Sequence, residues 1–146
     1  MRKLALIVSM MGLWAHANLD GVYFGTGQAF LPDGKQIPCN VGFGLMETKD
    51  ELTMKGAIYE CSGHIFSYEK PFHWKIIDAD LWLADRKIGA ITNDGFNAKF
   101  QMDELQFSIN LLETAKDTYA FKHLESGTAE SPLLSSTVNR EPWDLR

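Results

Sequence analysis

The sequence lacks three features that mark well-defined classes of protein. It has no apolar run of the roughly 20 residues that a membrane-spanning helix needs, and no helical periodicity that lasts several turns. Basic residues are also too few for a nucleic-acid or anionic-membrane surface, because 14 Lys and Arg stand against 19 Asp and Glu. With a formal charge of −5, the sequence argues against a helical membrane protein and against a nucleic-acid-binding protein.

What is present at the N-terminus resembles an export signal. Arg2 and Lys3 precede a largely apolar stretch at residues 4–14, and the small-x-small pattern at residues 15–17 is typical of a signal-peptidase site. We therefore predict that residues 1–17 are a signal peptide and that the mature protein is periplasmic or secreted. The short signal and the lack of an anchor favour a bacterial periplasm.

Cysteine is scarce, with only Cys39 and Cys61 in the chain. They form no Cys-x-x-Cys motif, and adding His64 gives only three candidate ligands, so no metal site is predicted. Two cysteines in an exported chain favour a disulfide. A turn near Asp50 places the two residues opposite each other, and a bulge near Gly56 aligns the apolar residues between them.

Short alternating runs of β-branched and aromatic residues, separated by turn residues, fill the rest of the chain. This pattern is typical of an antiparallel meander, and about eight to ten such runs in one small domain predict an up-and-down β-barrel. We place the barrel domain at residues 18–124. Residues 125–146, rich in Ser, Thr, Gly, Pro and Glu, are predicted as a loop or tail whose Trp143 packs back on the barrel.

Two hairpins predict which side chains face the interior. A turn centred on residues 33–34 places Phe24 opposite Phe43, with Val41 on the same inward face. In the last hairpin, apolar residues alternate with polar ones and the returning strand continues the stripe. The predicted inward residues of that hairpin are Phe107, Ile109, Leu111, Tyr119, Phe121 and His123.

The first strand and the meander that follows it resemble the lipocalin and calycin barrels. The usual Gly-x-Trp of the first strand appears here as Gly21-Val22-Tyr23. The resemblance implies a small hydrophobic ligand, such as a fatty acid or another lipid-like molecule, bound inside the barrel. The predicted ligand-binding residues are Phe24, Val41, Phe43, Phe107, Ile109, Leu111, Tyr119, Phe121 and His123.

Signals of catalysis are weak, so neither an enzyme nor a cofactor is predicted. A serine at 62 lies near His64, and acids occur at 78 and 80, but no elbow or positioned partner accompanies them. Two alternatives stay open. A filled interior with a contiguous exposed aromatic patch would favour an envelope or inhibitor-type module that binds another protein. His123 in an apolar barrel is also compatible with axial ligation of haem.

Overall fold

The computed structural model describes residues 18–127 and 133–143, so the predicted signal peptide at 1–17 lies outside the described residues. Those residues contain strands and no helix, and hence no helix that could cross a membrane. The eleven strands are β1 (Gly21–Phe30), β2 (Gln36–Glu47), β3 (Glu51–Cys61), β4 (His64–Tyr68), β5 (Phe72–Ile77), β6 (Asp80–Leu83), β7 (Arg86–Ile91), β8 (Gly95–Met102), β9 (Leu105–Ala115), β10 (Thr118–Ser126) and β11 (Leu133–Glu141).

The strands close into a ring in which every pair is antiparallel and β11 returns to pair with β1. β4 and β5 share one position beside β3, because β4 pairs with the second half of β3 and β5 with its first half. The ring therefore has ten positions, within the range of eight to ten strands that the hairpin pattern predicted for an up-and-down barrel. β4 pairs only with β3 among the described strands, so its other edge has no strand partner.

The barrel interior is formed by one face of each strand, since successive side chains point to opposite sides of a sheet. The prediction for the last hairpin is confirmed. His123 on β10 lies opposite Ile109 on β9 and, on its other side, opposite Leu134 on β11. All six predicted inward residues are buried: Phe107, Ile109, Leu111, Tyr119, Phe121 and His123.

The predicted pairing of β1 with β2 is wrong by one residue. Their connection takes residues 31–35 and is closed by a 2.8 Å backbone hydrogen bond between its two ends. Phe43 consequently lies opposite Tyr23 instead of Phe24. A slip of one residue moves a side chain to the other face of the sheet. Tyr23 is therefore buried in the interior, whereas Phe24 lies on the outer face and is 46% exposed.

The predicted bulge and disulfide on the next pair of strands are both confirmed. Gly56 has a φ of +64°, in the left-handed region that glycine adopts without strain, and the register of β2 and β3 shifts beside it. The extra residue returns Tyr59 and Cys61 to the buried face. Cys61 there bonds to Cys39 across the two strands.

The prediction of a loop or tail at residues 125–146 is wrong where this segment forms strands. β10 continues to Ser126, and Leu133–Glu141 forms β11, which closes the barrel between β10 and β1. Its inward positions, Leu134, Ser136 and Val138, include a serine, which hides the apolar alternation. Trp143 does pack back on the barrel, where its indole N–H donates to the carbonyl oxygen of Leu45 at 2.9 Å.

Candidate functional site

The structure brings eight of the nine predicted ligand-binding residues to the barrel interior, all except Phe24. The interior is filled by aromatic rings in contact with one another. Phe43 connects two parts of this packing, since its ring centroid is 4.9 Å from that of Tyr23 and 4.5 Å from that of Phe121. Towards β8, the Phe100 and Phe107 rings stack at 5.2 Å.

His123 lies inside this aromatic packing and is 1% exposed. Four rings surround its imidazole, with centroids between 5.1 and 6.5 Å away. We call this group the His123 chamber. Its members are His123, Tyr59, Tyr68, Phe107 and Phe121.

One hydrogen bond holds the imidazole. The Tyr59 hydroxyl lies 2.6 Å from Nδ1 of His123, and both groups are buried. Burial raises the pKa of Tyr59 and lowers the pKa of His123 to about 4, because a low-dielectric interior disfavours each charged form. At neutral pH both groups are therefore uncharged.

The other ring nitrogen, Nε2 of His123, has no hydrogen-bond partner among the described residues and is shielded from solvent. Such unpaired groups are rare in protein interiors, because a buried donor or acceptor without a partner costs about 1–3 kcal/mol. The chamber thus combines an apolar aromatic wall with one unsatisfied polar atom. Ligand sites of small molecules commonly have this composition.

Tyr68 is the wall of the chamber that is least fixed by the sheet. It ends β4, whose other edge has no partner among the described strands, and its side chain is only partly buried. The hydroxyl donates a 2.5 Å hydrogen bond to Glu125 Oε2, and burial together with this carboxylate raises the pKa of Tyr68. The ring lies 5.1 Å from the His123 ring, and so occupies the space beside the imidazole.

Haem does not fit this arrangement. Nε2 of His123 is the atom that would coordinate an iron. However, the Tyr68 and Phe107 ring centroids lie 5.1 and 5.8 Å from the imidazole centroid. A porphyrin is several rings wide, so it would have to displace this packing as a whole.

Sequence reasoning missed Tyr59 and Tyr68. Tyr59 could have been placed from Cys61, since residues two apart share a face. The predicted disulfide puts Cys61 on the face of Cys39, and Cys39 lies two residues before the inward Val41. Tyr68 gives no comparable signal, because β4 is a strand of five residues with little room for alternation to show. The approach of Tyr59 to His123 across 64 positions of sequence follows only from closure of the barrel.

A concave surface lies on the outside of β1, β2 and β3. This outer groove has a volume of about 510 Å³, and Phe24, Gly42 and Ile58 form part of its lining. Trp143 occupies one end, where the Lys55 ammonium lies 5.0 Å from its ring centroid, a distance typical of a cation–π contact.

Comparison with known proteins shows the fold and no family. No family model and no curated protein matches this chain. A solved structure of EF1p2_mFAP2b bound to DFHBI matches with a TM-score of 0.50 over 84% of this chain and 94% of that one, at 12% sequence identity. At this identity the likeness establishes a shared fold.

Proposed function

We propose that this protein binds a small hydrophobic molecule in the His123 chamber and catalyses no reaction on it. The supporting observation is the chamber itself, in which aromatic rings enclose a buried imidazole with one unsatisfied nitrogen. The solved structure of the same fold bound to DFHBI adds support. Lipid-like molecules, fatty acids among them, belong to the class of ligand that the sequence predicted.

Tyr68 is the residue that a ligand displaces in this proposal. An aromatic ring buries about 150–250 Å², so a ring-sized ligand gains about 4–6 kcal/mol from burial at 25 cal/mol per Å². Displacement of Tyr68 offsets much of this gain, because its own ring leaves the chamber and its hydrogen bond to Glu125 breaks. Binding to the unaltered protein is therefore weaker than binding to a chamber that is already open.

Truncation of Tyr68 tests this exchange. We expect Tyr68→Ala to bind ethylbenzene at least about tenfold more tightly than the unaltered protein, because cavities lined by apolar side chains take up such molecules. Ile65→Ala is the matched control on the same strand, since Ile65 is 69% exposed. Calorimetric titration measures both. Equal affinities in Tyr68→Ala and Ile65→Ala would contradict the proposed site.

The proposal extends to location. The disulfide between Cys39 and Cys61 indicates an oxidising, non-cytoplasmic compartment. We place the protein in the periplasm or outside the cell, as the signal-like residues 1–17 suggest. Sequencing the N-terminus of the protein recovered from the periplasm and from the medium tests this assignment, and an intact Met1 in a cytoplasmic fraction would contradict it.

Binding of another protein is a second candidate, which the filled interior and the outer groove both favour. Phe24 and Ile58, which flank Gly42, are 46% and 50% exposed, and Lys55 forms no ion pair within residues 18–127 and 133–143. A partner segment with an apolar side chain next to a carboxylate fits this groove. Phe24→Ser should abolish binding of such an envelope protein and leave ethylbenzene binding in the chamber unchanged.

A further inference from the structure

The unpaired Nε2 of His123 also indicates which class of ligand this site binds. Two proton arrangements are compatible with the contact between Tyr59 and Nδ1 of His123. If the Tyr59 hydroxyl donates, Nδ1 accepts, and the ring proton of the neutral imidazole is on Nε2. If instead Nδ1 carries the proton and donates, the hydroxyl hydrogen of Tyr59 has no acceptor and Nε2 has no donor.

The first arrangement leaves one polar group unsatisfied and the second leaves two. Each buried group without a partner is unfavourable, so the first arrangement is preferred. Nε2 of His123 then carries a buried hydrogen that has no acceptor among the described residues. The group that satisfies this donor must be a hydrogen-bond acceptor.

The surroundings of the chamber also disfavour a negatively charged ligand. The carboxylate of Glu125 accepts the hydrogen bond of Tyr68, and its negative charge contributes to the raised pKa of Tyr59, the hydrogen-bond partner of His123. A carboxylate ligand would therefore meet one neutral donor and a nearby negative charge. An uncharged acceptor avoids both the repulsion and the desolvation of a charge.

We propose that the His123 chamber selects uncharged hydrophobic molecules that carry a carbonyl oxygen, and that the Nε2–H of His123 donates a hydrogen bond to this oxygen. This inference rests on the proposed function, since it specifies the ligand class of the same site. It narrows the ligands to aromatic or aliphatic ketones, aldehydes, esters and related neutral carbonyl compounds. Ionised fatty acids are disfavoured.

Acetophenone and ethylbenzene form a matched pair of probes, because acetophenone has a carbonyl group where ethylbenzene has a methylene. We expect acetophenone to bind Tyr68→Ala about fivefold to tenfold more tightly than ethylbenzene, as one added hydrogen bond to a buried donor allows. Adding His123→Phe should reduce this ratio to about one. Leu124→Ala, the exposed neighbour of His123 on β10, is the control and should preserve the ratio.

Nitrogen NMR of the histidine side chains gives a second readout, which does not require the His123 variant to fold. In Tyr68→Ala without ligand, His123 should be in the Nε2–H form. Its Nε2 resonance should move when acetophenone is added and stay in place when ethylbenzene is added. An Nδ1–H form would overturn the inference.

The outcomes separate the inference from the proposed function. Equal binding of acetophenone and ethylbenzene would overturn the carbonyl preference and leave hydrophobic binding in place. Binding of neither probe to Tyr68→Ala would overturn the proposed function itself. If benzoate binds more tightly than acetophenone, the preference for an uncharged ligand is wrong.

Discussion

Acidification is expected to destabilise this barrel through His123. Burial lowers the pKa of the imidazole from 6.5 to about 4 in the folded protein, whereas the unfolded chain exposes it to water. Between these values the unfolded state binds a proton that the folded state does not. Stability therefore rises with pH across this window, and it is lost as the pH falls towards 4.

The magnitude follows from the shift. One pKa unit corresponds to 1.36 kcal/mol, so the lowering of the His123 pKa amounts to about 3 kcal/mol of unfolding free energy. That is a large part of the 5–15 kcal/mol by which a typical domain is stable. The effect is complete once the pH falls below the folded-state pKa.

Urea denaturation at a series of pH values, with the unaltered protein and His123→Phe side by side, measures this contribution. Carboxylates titrate in both proteins, so the difference between the two curves isolates the histidine. The single substitution also leaves the Tyr59 hydroxyl unpaired, which lowers stability by a constant amount and does not alter the slope. Curves that stay parallel from neutral pH to pH 4 would refute the assignment of His123 as a buried neutral imidazole.

Three further tests concern the fold: two pairs of substitutions and reduction of the disulfide. Ile109→Ala should cost about 2–4 kcal/mol of unfolding free energy and Ser108→Ala less than about 0.5; equal losses in urea denaturation would mean that β9 is not buried on one side. Tyr23→Ala should cost about 3–5 kcal/mol and Phe24→Ala about 1 or less, and the reverse order would restore the predicted register. Reduction of the disulfide should cost about 3 kcal/mol, and an unchanged unfolding midpoint in reductant would contradict this.

The parts of the fold that sequence predicted correctly are those where alternation is uninterrupted. Phe107, Ile109 and Leu111 are separated by polar residues, and burial of one face requires that order. In the first hairpin, a small difference in the length of the turn is enough to make such a prediction wrong. Its turn motif was recognised, yet a connection of residues 31–35 instead of a two-residue turn moved Phe24 to the outside.

Other parts of the structure were beyond sequence reasoning for physical reasons. The inward face of β11 includes Ser136, whose hydroxyl donates to the Phe121 carbonyl oxygen, so this strand does not show a hydrophobic stripe. Tyr68 and His123 come together only because the barrel closes and brings β4 near β10. His123 itself was predicted to face inward, but its unpaired Nε2 depends on what surrounds it in three dimensions.

The central claim is that a small hydrophobic ligand binds inside the barrel and not in the outer groove. Intermolecular NOEs between ethylbenzene and the aromatic protons of Tyr68→Ala test this claim directly, because the two sites have different rings. The account predicts NOEs to Phe107 and His123. NOEs to Phe24 and Trp143 instead, with none to the chamber, would contradict it.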